Sequence, residues 1–334
     1  MEIPADPTYC DRRGGLIFFG VVEILIGLLC LVMIMIFLLG QLMASGRPNM
    51  PHGQHPVITV VSLYGFLAIT SIWLGAGSIE ARRWARAIIL SLSSVLLVFG
   101  TVACLFIAFL LPHLMDIVSQ QARAPLQPAP LLFAKICIVA TMVFFSIIIP
   151  GSMFLFYRSP HVKRTCEVRD PVERWTDRCP VPVLALSLTM AIGGIMFLTA
   201  IARVHVVAVF GSYVGGSVGL AISLAMCGLY LYLAFGFYHL EIRAWWIALC
   251  AKLIYMASSA ITFWHGGFSG IYSKMNVDPR AAAMASKLLD FPAFKWMVTL
   301  SFIPWLVWLL CVRRYFGTPY LPPVLRADAP APTA

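Results

Sequence analysis

Long apolar stretches separated by short polar ones run along the whole chain. A helix needs about 20 residues to cross the hydrocarbon core of a membrane, whereas a strand of a membrane β-barrel shows about 10 residues of alternating polarity. No such alternation occurs in the sequence. Eight apolar stretches have helical length: residues 16–43, 57–79, 87–111, 131–157, 181–202, 209–238, 244–265 and 294–312. The pattern predicts an all-α fold, a polytopic membrane helix bundle with eight transmembrane helices.

The composition excludes most soluble classes of protein. Of the 334 residues, 60% are hydrophobic and 11% are charged, and the mean hydropathy is +0.88. A soluble domain carries about 25% charged residues, so a cytosolic enzyme, a disordered chain and a coiled coil are excluded. The nine cysteines lie in apolar stretches or in segments that we place in the reducing cytoplasm, and we therefore expect no structural disulfide.

Lysine and arginine residues are distributed unequally between the two sides of the membrane. With the N-terminus on side one, fifteen of the 24 fall on side one and six on side two, while Lys135, Lys252 and Lys295 lie within spans. The positive-inside rule then places both termini in the cytoplasm. Contacts with anionic lipid account for the net charge of +10, so the expected partner is the lipid bilayer and not nucleic acid.

Polar markers recur in the same order in the two halves of the chain. Lys135 and Lys295 each stand near the start of a fourth span, and a second marker follows the second span of each half. That marker is Glu80-x-Arg82-x-Trp84 in the first half and, 161 positions later, Glu241-x-Arg243-x-Trp245 in the second. The shared order indicates an internal repeat rather than chance similarity between apolar helices.

The repeat divides the chain into four predicted segments. They are a first four-helix membrane repeat at residues 1–157, a cytoplasmic linker at 158–176, a second four-helix repeat at 177–316 and a disordered cytoplasmic tail at 317–334. Because four crossings return the chain to its starting side, the two repeats are predicted to be parallel. The tail is predicted to be disordered because it is rich in proline.

Glycines and a basic turn carry a resemblance to a known kind of protein. The residues are Gly14-Gly15-Leu16, Gly20 and Gly27 in the first span, and Gly75-x-Gly77 followed by Arg82-Arg83-Trp84-Ala85-Arg86 after the second. The chain resembles uncharacterised bacterial inner-membrane proteins built from four-helix repeats, with a Gly-rich second helix and an RxWAR-type turn. The second copy departs from this pattern and reads Glu241-Ile-Arg-Ala-Trp-Trp. The resemblance implies a bacterial cytoplasmic membrane and no particular mechanism.

Basic and aromatic residues accumulate in the turns on the cytoplasmic side. Arginine contacts lipid phosphates and tryptophan favours the headgroup region, so these residues are predicted to be interfacial anchors. A docking site for a membrane-protein partner is the alternative. The residues are Arg82, Arg83, Trp84, Arg86, Arg243, Trp245 and Trp246.

Small residues recur every four positions along the sixth span and the segment that leads into it. They are Gly211, Gly215, Gly219, Ser223 and Cys227. Four-residue spacing puts them on one helical face, where small side chains let a second helix approach closely. We predict that this stripe packs within the molecule or, as the alternative, forms the seam of a homo-oligomer.

Two spans carry both a proline and a lysine. Lys135 and Pro150 lie in the fourth span, and Lys295 and Pro304 lie in the eighth. Proline-interrupted helices in matching positions of two repeats indicate a transport site. The alternatives are ordinary proline kinks and lysines that extend to the membrane surface.

Two charged residues lie deep in predicted spans. Glu23 and Lys252 share a depth of about 10–12 Å from the cytoplasmic ends of the first and seventh spans. A lone charge there is costly, so we predict an intramembrane charge pair. The alternatives are a protonated Glu23 and a Lys252 that reaches the near surface alone.

Histidines are the remaining candidates for chemistry. His113, His205 and His265 end three different spans on the outer side and form a candidate metal or haem site. The alternative is that polar residues accumulate where helices leave the membrane. No catalytic residues are predicted, because the spans hold no paired carboxylates and no nucleophile with a suitably spaced base, and no cofactor is expected.

The sequence leaves three hypotheses about function. The first is a non-catalytic membrane-embedded subunit or scaffold. The second is a transporter of a small or amphipathic solute that passes between two parallel repeats. The third is a metal- or haem-binding membrane redox protein. The absence of a catalytic motif favours the first, the duplication favours the second, and the outer histidines favour the third.

Overall fold

The computed structural model describes residues 10–45, 54–121, 128–201, 206–267, 283, 286, 289 and 292–317. Within these residues the protein is an all-α polytopic membrane protein. Eight helical spans are long and apolar enough to cross a membrane, as the sequence predicts. They are Arg13–Met43, Val60–Ile79, Arg83–Met115, Leu132–Arg158, Val181–Leu198, Gly216–Tyr238, Ile242–His265 and Pro292–Tyr315.

Eleven described helices of the α type carry the fold. In chain order they are α1 (Arg13–Ser45), α2 (Gln54–Ile79), α3 (Arg83–Gln121), α4 (Pro128–Val143), α5 (Ile149–Arg158), α6 (Pro160–Arg169), α7 (Val181–Ile201), α8 (Gly216–Tyr238), α9 (Ile242–Gly266), α10 (Pro292–Leu300) and α11 (Ile303–Val312). A π-helical segment, Phe144–Ile148, joins α4 to α5. Short 3-10 turns follow α6 at Trp175–Arg178 and α11 at Arg313–Tyr315.

The spans form helices because only an internally hydrogen-bonded backbone is stable in hydrocarbon. Their apolar side chains need not be buried in protein, since lipid solvates them. On α1, for example, Phe18 is 63% exposed and Leu42 is 70% exposed. These outward-facing side chains are the surface that a bilayer covers.

Glycine positions bring α1 and α2 into close contact. A Cβ atom on Gly20 would lie 2.7 Å from the carbonyl oxygen of Gly75, and one on Gly75 would lie 2.5 Å from that of Gly20. Farther along the helices, a Cβ on Gly27 would lie 2.7 Å from Ile72. These backbones can approach only because neither helix carries a side chain at the crossing.

The same type of turn follows α2 and α8. After α2, the N–H of Arg82 donates to the carbonyl of Gly77 at 2.9 Å, and Ala81 has a φ of 56°. After α8, the N–H of Glu241 donates to the carbonyl of Gly236 at 2.9 Å, and Leu240 has a φ of 58°. Both are Schellman turns that end the helix in a left-handed residue.

Described residues fall into two compact units. The first unit comprises the described residues up to Leu92 together with Ser152–Arg178, and the second comprises Ser93–Gly151 with the described residues from Cys179 onward. Within the first unit, buried Ser78 on α2 connects α1 to the end of the fourth span. Its hydroxyl donates to the Leu16 carbonyl at 2.9 Å and forms a hydrogen bond with the Tyr157 hydroxyl at 2.5 Å. The predicted repeats at 1–157 and 177–316 follow chain order instead, and they stay a prediction.

The predicted linker at residues 158–176 is largely ordered. It contains α6, which begins after Ser159 with a proline in its first turn. Val162, Thr165 and Cys166 are buried along one face of α6, so the segment packs on the first unit. The predicted disordered tail at 317–334 lies outside the described residues apart from Gly317.

Two boundaries of the predicted spans are wrong. The third span does not end near residue 111, because α3 continues through Pro112 to Gln121, and a membrane helix tolerates one missing hydrogen bond. The sixth span does not begin at 209, because an antiparallel hairpin of β1 (Val207–Val209) and β2 (Ser212–Val214) precedes α8. The hairpin is fastened to α9, since the N–H of Phe210 donates to the Ser258 hydroxyl at 3.0 Å.

Candidate functional site

The fourth span changes its helical form in the middle. After α4 ends at Val143, the backbone adopts a π-helix over Phe144–Ile148 before α5 begins. Pro150 lies one turn beyond Ser146, and a proline removes a hydrogen bond to the carbonyl four residues earlier and crowds it. A π segment frequently marks a functional site in a helix.

The eighth span is interrupted as well. Helix α10 ends at Leu300, a turn over Ser301 and Phe302 follows, and α11 begins at Ile303 with Pro304 in its first turn. The Ser301 hydroxyl donates to the Val298 carbonyl at 2.6 Å, which satisfies one acceptor near the break. Both spans predicted to be interrupted therefore have a local change in backbone form.

The interruptions occupy neighbouring positions in the two halves. In the Schellman turns, Leu240 follows Ala81 by 159 positions and Gly236 follows Gly77 by the same 159. In this register the break at Ser301 and Phe302 corresponds to residues 142–143, directly before the π segment at Phe144–Ile148. Turn geometry thus favours a register of 159 rather than the 161 that the Glu-x-Arg-x-Trp motif suggests.

Lys252 lies beside the break in the eighth span. It is the eleventh residue of α9, about 15 Å along the helix axis and thus near the middle of a hydrocarbon core about 30 Å thick. Its ammonium lies 4.7 Å from the ring centre of Phe302, 4.8 Å from Trp305 and 6.0 Å from Tyr255. The aromatic faces stabilise the charge by cation–π interaction.

A small cavity adjoins Lys252. Its volume is about 30 Å³, and α7, α8, α9 and α11 all contribute to its wall. Methionines and aliphatic residues form most of the wall, and the polar groups come from Tyr230, Lys252, Tyr255 and Trp305. The ammonium of Lys252 makes no hydrogen bond or ion pair within the described part of the second unit. Lys252 is half-buried, and a cation without an acceptor near the middle of a span favours a site that takes a ligand or water.

A larger apolar cavity lies beside the π segment. It has a volume of about 230 Å³ between α3 and the fourth span. Thr101 and Cys104 line it from α3, and Met142 and Ile147 line it from the fourth span. Nearby, a Cβ on Gly100 would lie 2.5 Å from the carbonyl oxygen of Ser146. Each interrupted span is therefore flanked by free volume.

The other lysines predicted for a transport site do not line either cavity. Lys135 on α4 and Lys295 on α10 are both half-buried. The predicted charge pair of Glu23 and Lys252 joins residues of different compact units, and it stays a prediction. Glu23 is half-buried on α1.

The predicted anchors after the second span form part of a polar cap on the first unit. Arg82 pairs with Glu80 at 2.8 Å, and Arg83 lies 3.7 Å from Asp177. Trp84 stacks on Trp73 with ring centres 4.2 Å apart. The Nε atoms of Arg83 and Arg86 are buried, so these two side chains are partly enclosed by the protein. Anchoring of this turn in the headgroup region stays a prediction, and the contacts within the protein add to it.

Asp170 is the centre of that cap. It is 2% exposed and accepts hydrogen bonds from the Arg174 guanidinium at 3.1 Å and from the backbone N–H of Arg83 at 3.3 Å. Burial alone would raise the pKa of Asp170, but these bonds outweigh it and hold the pKa below its usual value. The carboxylate thereby provides an acceptor for a backbone N–H at the start of α3 and holds the end of α6 against α3.

Cys166 lies under the same cap. Its side chain is 1% exposed, and burial raises the pKa of the thiol to about 11, against the opposing charges of Arg86 and Arg83. A thiol that is both buried and protonated is unreactive. Cys166 is therefore a structural residue and reports whether α6 is in place.

Trp245 is not an interfacial anchor. It is 1% exposed, and its indole N–H donates to the carbonyl of Leu309 at 2.9 Å. Arg313 covers the rings of Trp245 and Trp246 at 5.2 and 5.6 Å. Arg243 and Trp246 are exposed, and their role as anchors stays a prediction.

The predicted small-residue stripe is shorter than its spacing suggests. Gly211 lies in the hairpin turn with a φ of 94°, and Gly215 precedes the first turn of α8, so neither is on the helical face. Gly219, Ser223 and Cys227 are on α8 and buried. The thiol of Cys227 lies 3.4 Å from the carbonyl of Gly194 on α7, which indicates packing within the molecule.

The histidine site gains no support from the geometry. His205 lies outside the described residues, and the ring of His265 contacts the carbonyl of Ile261 at 2.9 Å. His113 lies on α3. Among the residues that the structure describes, no three histidine, cysteine, aspartate or glutamate side chains lie together as metal ligands would.

Comparison of the chain with protein-family models, with curated proteins and with solved structures gives no match. The candidate site is therefore defined by its own geometry: the Lys252 cavity beside the interrupted eighth span, and the apolar cavity beside the π segment of the fourth.

Proposed function

We propose that this multi-pass membrane protein is a transporter of a small solute, built from two parallel four-helix repeats. The interruption of both the fourth and the eighth span, each followed by a helix with proline as its second residue, carries the proposal. Discontinuous helices at corresponding positions of two repeats are the best sequence-level indication of a transport site.

Equivalent contacts within each half support the repeat. In the first unit, Ser78 at the end of α2 contacts Tyr157 at the end of the fourth span. In the second unit, Phe237 and Phe316 stand 159 positions later and their ring centres lie 5.6 Å apart. The chemistry of the contact differs, but the pair of positions is the same.

The first two helices of each half support the repeat as well. Gly27 faces Ile72 in the first unit, and Gly194 faces Leu231 in the second. The positions on the second helix differ by the same 159, whereas those on the first helix differ by 167. A connection eight residues shorter between the first and second helices of the second repeat accounts for the difference.

A scaffold offers a weaker explanation of these features. A broken span leaves backbone groups that must be satisfied inside the membrane, and a charge near the middle of a span is costly. A purely structural subunit gains nothing from either. A solute pathway uses both, because unwound backbone and a buried charge supply polar contacts where lipid supplies none.

The proposed location is a bacterial cytoplasmic membrane with both termini in the cytoplasm. The excess of arginine and lysine on the side of the N-terminus supports this orientation. In it, the cap around Asp170 lies in the cytoplasm and the β1–β2 hairpin lies outside. Labelling of intact cells with an impermeant thiol reagent tests it: a cysteine introduced at Ser212 should react, and one at Ser159 should not.

Solute flux into proteoliposomes tests the proposed function. The purified full-length chain is reconstituted, and stopped-flow swelling is measured with potassium chloride, bromide, nitrate or formate in the presence of valinomycin, and with glycerol or urea. We expect at least one solute to enter faster than into protein-free liposomes. Equal rates with and without protein for every solute would contradict transport and leave the scaffold hypothesis.

A matched pair of proline variants tests the role of the broken span. Pro304→Ala restores a backbone donor at the break, so we expect it to lengthen α11 toward α10 and to slow the flux. Pro112→Ala is the control, because α3 is continuous through Pro112 in the native protein. Equal flux in the two variants, with equal thermal stability, would show that the break has no part in transport.

A further inference from the structure

We infer that the cavity beside Lys252 binds a small monovalent anion, of the size of a halide or formate. This inference rests on the proposed function, because it names the class of solute that the site would take. It starts from the chemistry of the lining, which the sequence pattern did not bring together.

All four polar groups around the cavity can donate a hydrogen bond, and the two tyrosine hydroxyls can also accept one. Lys252 presents an ammonium, Tyr230 and Tyr255 present hydroxyl groups, and Trp305 presents an indole N–H. No carboxylate belongs to the lining, and the methionine sulfurs are weak acceptors. A lining with one positive charge and no carboxylate favours an anion over a cation.

The donors lack acceptors of their own. Within the described part of the second unit, neither Lys252 nor the hydroxyls of Tyr230 and Tyr255 make a hydrogen bond. The rings of Phe302 and Trp305 stabilise the ammonium from one side, but ring faces do not accept its N–H groups as an oxygen or a halide would. Tyr255 is 38% exposed, so the Lys252 ammonium is the group for which an anion in the cavity would be the acceptor.

The size of the cavity limits the anion. A volume of about 30 Å³ holds roughly two water molecules, because one needs about 10–15 Å³ measured this way. The cavity is open on one side, and its enclosed part is too small for a whole phosphate group, sugar or acyl chain. The apolar wall of Met190 and Met226 also favours a weakly hydrated monovalent ion over a strongly hydrated divalent one.

Chloride NMR tests the inference on the purified full-length protein. In detergent and gluconate buffer, bound chloride exchanging with free chloride broadens the chlorine-35 line, and bromide should reverse the broadening by competition. We expect excess broadening for the native protein and at least a tenfold weaker affinity for Lys252→Met, since a hydrogen bond to a charged group is removed. Lys252→Arg keeps the charge but is bulkier, so we expect its affinity to fall less than that of Lys252→Met.

Two further variants separate a local effect from a general one. Tyr255→Phe removes one donor without removing charge, and we expect a several-fold loss of affinity. Lys163→Met is the matched control, because Lys163 is exposed on α6 and pairs only with Glu167 at 3.7 Å. Equal broadening in the native protein and in all four variants would overturn the inference, and the cavity would then hold water.

Failure of the anion site and failure of transport give different experimental results. Anion binding without flux in proteoliposomes would support the site and contradict transport. Flux of glycerol or urea without chloride binding would support transport and overturn the inference. If Lys252→Met does not fold, as thermal unfolding in detergent would reveal, Tyr255→Phe and Lys252→Arg still decide the outcome.

Discussion

Replacement of Asp170 by asparagine should release α6 from the first unit. The asparagine side chain would keep the volume and one carbonyl acceptor but lose the charge that pairs with Arg174 and faces the start of α3. Helix α6 is held by few other buried contacts, namely those of Val162, Thr165 and Cys166. The variant therefore perturbs a local opening rather than global unfolding.

The magnitude follows from the bonds that are lost. A hydrogen bond to a charged group contributes about 1.5–3 kcal/mol, and a carboxylate at a helix N-terminus contributes about 0.3–1 kcal/mol. Arg174 is 37% exposed, so solvent screening reduces its share. We expect a net loss of about 2 kcal/mol, which corresponds to a roughly 30-fold rise in the open population.

Cys166 provides the assay. In the closed state its thiol is buried and its pKa is raised to about 11, so it reacts only from the open state. The protein is treated with a maleimide at pH 7, and mass spectrometry follows the tryptic peptide Thr165–Arg169. Cys10 is exposed and reports the reagent concentration in the same sample. We expect labelling of Cys166 in the Asp170→Asn protein to be roughly 30-fold faster than in the native protein, in line with the open population.

Glu167→Gln is the control for that variant. Glu167 pairs with Lys163 and Arg164 at 3.7 Å on the outer face of α6, and such surface pairs contribute about 0–1 kcal/mol. We expect at most a fivefold change in labelling. If Asp170→Asn labels no faster than Glu167→Gln, the cap is not held by Asp170 and the reasoning fails.

Three further predictions concern pH, helix crossing and a buried indole. Hydrogen bonds hold the pKa values of Asp11 and Asp170 below normal against the effect of burial. The cap should therefore be fully stable above about pH 4 and lose stability as the pH falls through the pKa values of the folded state. Amide hydrogen exchange of α6, corrected for intrinsic rates, should be faster below pH 4. Gly20→Leu should lower stability by about 1–3 kcal/mol in thermal unfolding, whereas Gly65→Leu, where a Cβ meets nothing within 4 Å, should not. Trp245→Phe should lower the free energy of unfolding by about 1–3 kcal/mol, because it removes the N–H that donates to the Leu309 carbonyl. An equal loss when an exposed tryptophan is replaced by phenylalanine would contradict this.

The spans themselves could be predicted from the sequence, because hydrocarbon imposes one simple rule on all of them. Twenty apolar residues must be helical to satisfy their backbone, and the seventh span, predicted at 244–265, is Ile242–His265. The hairpin before α8 was not predicted, because the same rule assigns every apolar stretch to a span. Val207–Val214 is apolar and merges with the following span, although its β-branched residues and Gly211 carry a hairpin signal.

Helix α6 carried a usable signal that apolar length does not detect. Ser159-Pro160 is a helix start, with proline in the first turn, and Val162 and Cys166 are four positions apart on its buried face. Its many charged residues instead suggested a solvated linker. What the sequence could not reveal is that Asp170 would cap a different helix 87 positions away.

The two interrupted spans show why prolines alone mislead about a site. A proline perturbs the backbone on its N-terminal side. The packing of neighbouring residues determines which of the preceding residues adopt the irregular form. Pro150 and Pro304 are 154 positions apart and do not correspond. The perturbations that precede them, at Phe144–Ile148 and at Ser301 and Phe302, are neighbours in the register of the turns but do not coincide. The position of an interruption is therefore read from the backbone together with the proline that follows it.

The proposed repeats differ most at the position of the buried charge. In the register of 159, Lys252 corresponds to Ser93, which is 2% exposed on α3. Trp305 corresponds to Ser146 in the π segment, where close approach to Gly100 leaves no room for an indole. The first repeat thus keeps the interrupted helix but none of the cation, the aromatic cage or the donor-lined cavity. If the repeats arose by duplication, the interruption is the feature that both keep, and the charged site is what distinguishes the second repeat from the first.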